Sequence, residues 1–120
     1  MPRTIFSRLS AVLGEVRQLQ DGKAGISVQA LEVFTCIAAK EGISSSELRK
    51  NTGIPQPSVS RALGDLGDWA GRRGAEGLKL IRTERDPLDQ RNVVCFLTPT
   101  GKLLAARIEQ LMGATNSEVD

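Results

Sequence analysis

The chain contains no histidine and no tyrosine. The first absence removes the usual general base and the commonest metal ligand. Two cysteines, Cys36 and Cys95, are too few for a disulfide framework. Both fall at apolar positions of expected elements, which favours packing over reactivity. Aromatic side chains are limited to Phe6, Phe34, Trp69 and Phe96. A stacking platform for single-stranded bases is therefore not expected. No apolar run approaches the roughly 20 residues of a membrane span, and no secretory signal is apparent. The expected setting is reducing and cytoplasmic, away from any membrane. Acids are scattered and no nucleophile has a recognisable base. Gly71, Gly74 and Gly77 are not bracketed by a strand and then a helix, as a phosphate-binding loop requires. An enzyme is the weakest reading, and neither metal nor cofactor is expected.

What remains is ordinary globular composition. The 120 residues are 40% hydrophobic and carry a net charge of +2. A single domain of this size buries roughly two-thirds of its unfolded surface, enough for one core. Any affinity for a polyanion must come from where the charge sits. Residues 44–85 hold eight Lys or Arg against five acids, a modest local excess.

Apolar spacing divides the chain into elements. Ile5, Leu9, Val12, Val16 and Leu19 recur at steps of four and three, with Phe6 and Leu13 beside them. This predicts an amphipathic helix with a short coiled-coil-like seam, broken by Asp21-Gly22 and Gly25. The seam packs either on the domain's own core or on a second subunit, and seven apolar residues on one helix favour the subunit. A second helix is expected from Ser27, a good N-cap, to about Glu41, burying Ala30, Leu31, Phe34, Ile37 and Ala38. Gly42-Ile43 reads as an extended link or isolated strand. Residues 78–85 and 92–97 read as two strands, joined by a turn over 86–91. Thr98-Pro99 opens a last helix that is expected to bury Leu103, Leu104, Ile108 and Leu111 and to stop at Gly113. Residues 114–120 form a polar tail, expected to fray.

Residues 44–66, SSSELRKNTGIPQPSVSRALGDL, carry the most information. Leu48 lies on a first short helix, Gly53 supplies a left-handed stop, and Ile54 plugs the corner. Val59, Leu63 and Leu66 then mark the inner face of a second helix, expected to run through Trp69 and stop near Gly71. Its outer face carries Gln56, Ser58, Ser60 and Arg61, which either form a plain solvated surface or reach base edges and phosphates. Gln56 suits adenine, and Arg61 suits guanine or a phosphate. Pro55 and Pro57 pre-set the first turn, and the helix N-terminus favours a phosphate. Arg82 and Arg85, on the strand leading to the hairpin tip, are candidate phosphate contacts. Arg72 and Arg73 are either contacts of that kind or loop solubilisers.

The order helix, helix, helix-turn-helix, hairpin, helix is that of a winged helix. ELRKNTGIPQPSVSRALGDL, the turn RDPLDQR and LTPTG together resemble the MarR-type bacterial transcription regulators, over about residues 27–112. Two features depart from the pattern: Arg49 stands where a small residue is usual, and residues 75–79 lengthen the link to the hairpin. The resemblance implies a mainly α fold with a small β-hairpin (α+β): a winged helix-turn-helix domain spanning 1–120, with its wing over 78–97. Segments 1–21 and 99–113 would be dimerisation helices. It implies a cytoplasmic, nucleoid-associated homodimeric repressor that covers a pseudo-palindromic operator. The recognition helixes would lie in successive major grooves and the wings in flanking minor grooves. The family's wing arginine falls on Arg91, with Asp89 as the acid that orients it. A guanidinium at a hairpin tip suits a narrow minor groove; the less favoured reading is a structural partner of Asp86 or Asp89 within the turn, and the two roles can coexist.

The candidate DNA-contacting set is thus Gln56, Pro57, Ser58, Ser60, Arg61, Arg82, Arg85, Asp89 and Arg91. The candidate dimer set is Ile5, Leu9, Val12, Val16, Leu19, Leu104, Ile108 and Leu111. Members of the family bind phenolic or other apolar effectors, but no residue here is assigned to such a pocket. Two rival readings use the same fold: a DNA-binding module for plasmid or phage replication or partition, and a protein-interaction module that no longer binds DNA.

Overall fold

The structure is a computed structural model that describes residues 5–18, 26–67 and 77–113. In chain order, its elements are α1 (Ile5–Gln18), α2 (Val28–Ala39), β1 (Ile43–Ser44), α3 (Ser45–Thr52), α4 (Gln56–Leu66), β2 (Ile81–Arg85), β3 (Val93–Leu97) and α5 (Pro99–Met112). The three strands form an antiparallel sheet in the order β1-β3-β2.

The helix boundaries follow from local chemistry. The Ser27 hydroxyl accepts the Ala30 amide at 3.0 Å and starts α2. At α3, Ser44 Oγ accepts the Glu47 amide at 3.1 Å while Glu47 Oε1 accepts the Ser44 amide at 3.2 Å, a reciprocal cap. Gly53, at φ 75°, ends α3 in the left-handed conformation that a Cβ disfavours. Thr98 Oγ1 accepts the Gly101 amide and starts α5. Gly101 is required by packing, since a Cβ there would lie 2.0 Å from the Leu80 carbonyl oxygen.

One core lies between α2, the helix-turn-helix and the sheet. Val33, Phe34 and Ile37 of α2 meet Leu48, Ile54, Val59, Ala62 and Leu66, and Leu80, Ile81, Cys95 and Leu97 close it from the hairpin side. Burial raises the pKa of both thiols, to about 11 at Cys95 and less steeply at half-buried Cys36, where Glu32 adds to the effect. Neither has the depressed pKa of a redox-sensing thiolate.

Several expectations are corrected. Ile43 is not isolated: it pairs with Cys95, and Ser44 pairs with Val94. Helix α4 stops at Leu66 with Gly67 as its cap, short of Trp69. Residues 78–80 are not strand. Lys79 has φ 58°, and the amides of Leu78, Lys79 and Leu80 donate to the carbonyls of Asp65, Gly67 and Leu66. The chain thus turns back over the end of α4 and satisfies carbonyls that a helix C-terminus leaves open, so the wing proper spans 81–97. On α2 the deepest positions are Ala30, Val33, Phe34 and Ile37, with Leu31 and Ala38 only half-buried. Leu103 is 74% exposed rather than buried. Trp69, Arg72, Arg73, Leu19 and the tail from 114 lie outside the described residues.

Candidate nucleic-acid interface

The inner face of α4 is fixed by Val59, Ala62 and Leu66, all buried. The 3.6-residue period then dictates what faces outward. Gln56, Pro57, Ser60 and Arg61 are exposed, and Ser58 is half-buried at the edge. No side chain caps α4, and Pro57 has no N–H to leave open in its first turn. The exposed row is therefore an amide, a hydroxyl and a guanidinium, with the half-buried Ser58 hydroxyl at its edge, carried on a helix that the core holds rigidly.

The wing supplies a second row. In β2 only Ile81 is buried, so Arg82 and Arg85 both face solvent. Arg82 lies over the ring of its cross-strand partner Phe96, 4.5 Å from the centroid, and is ion-paired with Glu84. These two contacts orient the guanidinium without burying it. Arg85 donates to the Gln90 carbonyl at 2.7 Å and braces the turn. Between α4 and the wing runs an open groove of about 380 Å³, lined in part by Ser60, Leu63, Arg82, Thr83 and Val93.

At the tip, each aspartate folds back on the backbone. Asp86 Oδ1 accepts the Leu88 amide at 2.9 Å, and Asp89 Oδ1 accepts the Arg91 amide at 3.1 Å. The Arg91 guanidinium also donates to Asp89, at 3.2 Å from Nε and 3.4 Å from Nη2. These bonds from Arg91 hold the Asp89 carboxyl below its ordinary pKa and raise that of Arg91. Both groups are charged at neutral pH. The Arg91 side chain is nonetheless 90% exposed. Of the two partners open to it, Arg91 takes Asp89, and the pairing leaves the outer edge of the guanidinium free of burial.

No protein-family model matches the chain, and no curated relative matches it. Solved structures do. MepR of S. aureus, in a DNA complex, aligns with a TM-score of 0.66 at 19% identity, over 93% of this chain and 82% of that one. FabT of Streptococcus pneumoniae, also in complex with DNA, gives 0.61 at 20% identity, over 92% and 72%. A MarR transcriptional regulator from Methanosarcina mazei gives 0.60 at 20% identity, over 97% and 82%. The chain has the winged-helix fold of MarR-type regulators.

Within this MarR-type fold the candidate dimer residues divide. Val12 and Val16 are buried inside the chain, on the side of α1 that packs along α5, and Leu104 is buried as well. Ile108 and Leu111 are half-buried. The α1–α5 pair is also tied by Arg8 Nη1 donating to the Met112 carbonyl at 3.1 Å and by Arg107 to Glu15 at 3.4 Å. The outward apolar stripe is instead Ile5, Phe6, Leu9 and Leu13, with Phe6 78% exposed. Sequence spacing placed Val12 and Val16 in that stripe because a seven-apolar helix has two apolar faces, and spacing does not say which one its own domain covers. Two further residues enter only through the structure: Ser45 and Asn92, bonded to each other 47 positions apart.

Proposed function

We propose that this chain is a homodimeric, sequence-specific double-stranded DNA-binding protein, acting as a transcriptional repressor that occludes its promoter. One observation carries the reading. An exposed Gln56/Ser60/Arg61 face on a core-anchored helix stands on the same body as a hairpin whose tip presents an Asp89-oriented Arg91. The helix suits the major groove, whose base edges pair with amide and guanidinium groups, and the hairpin suits the focused negative potential of a narrow minor groove. Two neighbours of the same fold are themselves complexes with DNA. The exposed stripe Ile5/Phe6/Leu9/Leu13 supports assembly through α1, because two-fold symmetry places the same patch against itself. No described helix is long and apolar enough to cross a membrane.

Selection of bound fragments from random duplex DNA tests this reading. The expected product is an inverted repeat with half-sites about one helical turn apart, bound with an affinity that falls steeply with salt as phosphate contacts are screened. Failure to enrich any sequence, or salt-insensitive binding, would overturn it.

A further inference from the structure

β1 and β3 pair through Ile43–Cys95 and Ser44–Val94. The next step of the ladder toward the wing tip would join residue 45 to Val93, but at Ser45 the chain has already turned into α3. The backbone can no longer serve β3 there, and the Ser45 side chain takes over. Its Oγ accepts the Val93 amide at 3.2 Å and donates to Asn92 Oδ1 at 3.2 Å. Asn92 is in turn built into the turn: its amide donates to the Asp89 carbonyl at 2.9 Å, and its carbonyl accepts the Asp86 amide at 3.0 Å. One hydroxyl therefore joins the first residue of α3 to the residue beside Arg91. All three groups, Ser45, Asn92 and Val93, are half-buried, so water competes weakly for these bonds.

We propose that Ser45 is a positioning residue for DNA recognition, fixing the height of the wing tip relative to α4. The inference deepens the DNA-binding reading and rests on it. Geometry makes the hydroxyl specific. Only a group that accepts and donates at one atom can meet both an amide and a carboxamide oxygen. α3 is rigid with α4 through buried Leu48, Ile54 and Val59. The hairpin beyond Val93 has no buried residue to hold it. Without the Ser45 bridge, the β1–β3 ladder ends at Ser44, and the tip swings on β2–β3 alone. The distance between the base pairs read by α4 and the minor-groove segment read by Arg91 is then no longer fixed.

The test compares wild type, Ser45→Ala and Ser45→Thr on the selected operator and on operators whose flanks are shifted by one base pair. Thermal melts of each protein are run in parallel. Wild type should discriminate between flank positions and protect the flanking minor groove from hydroxyl radicals. Ser45→Ala should lose that protection and flank discrimination, weaken binding to the parent operator by roughly three- to tenfold, and keep the major-groove footprint of α4. Ser45→Thr, which restores the hydroxyl, should recover the flank footprint. A merely structural role would lower melting and weaken all operators equally, and this pattern would overturn the inference. So would a Ser45→Ala footprint identical to wild type on DNA that the wild type binds. Wild type that binds no duplex at all removes the parent reading, and this inference with it.

Discussion

α4 and the wing tip both face outward, yet they are held by different means. α4 stands on Val59, Ala62 and Leu66, sunk into the same core as Phe34 and Leu48. The tip, residues 86–91, contains no buried residue. It keeps its shape through aspartate-to-amide bonds, the Arg85–Gln90 brace and the Asp89–Arg91 pair. The contrast separates two kinds of sensitivity. Changes under α4 act on the whole fold, because close-packed interiors do not relax around a void. Changes at the tip alter what the surface offers while leaving stability almost untouched, since exposed ion pairs contribute little.

The largest effect should come from the buried side. Leu48→Ala, at a site with no exposure, should cost about 2–5 kcal/mol of folding stability, read from the denaturant midpoint. A loss below about 1 kcal/mol would break the contrast. A third surface sharpens it. Phe6→Glu on the exposed stripe of α1 should leave monomer folding intact but remove roughly 1.5–3 kcal/mol of association per copy, seen as a shift from dimer to monomer in sedimentation. An unchanged sedimentation coefficient would remove α1 from the interface. Arg61→Ala and Arg91→Ala should each cost about 1–3 kcal/mol of operator affinity with no change in melting. Arg61→Ala should also relax sequence preference. Anisotropy titrations that find both variants as tight as wild type would refute the assignment of these two side chains.

Much of this was legible in the residues, for a physical reason. Ser27, Gly53, Thr98 and Gly113 act on their own neighbours, so the ends of α2, α3 and α5 follow from local spacing. The outer face of α4 follows from the period of its inner one. What was not legible depends on partners far along the chain. Ile43 becomes a strand only because Cys95 lies opposite, and residues 78–80 leave the strand because the end of α4 offers three carbonyls. Leu103 reads as core by spacing, but the close approach of α5 at Gly101 rolls it outward.

The smallest effect is a titration. Asp89 has a lowered pKa in the folded chain, so its bond to Arg91 is complete above the ordinary carboxylate range and is lost only as pH falls through that lowered value. The Asp89 carboxyl, followed by NMR, should titrate below the free-Asp value of about 3.9. In Arg91→Ala it should return toward that value. A midpoint at or above it in the wild type would mean that the two side chains do not hold each other in solution.

Leu80 donates its amide to the last residue of α4, and its carbonyl takes the Thr98 amide while lying against the bare Cα of Gly101. The tail end of α4 and the head of α5 are thereby moored to one residue. A displacement of α5 cannot flex that joint without breaking its bonds, so α4 is carried along bodily, as a lever moves on its pin.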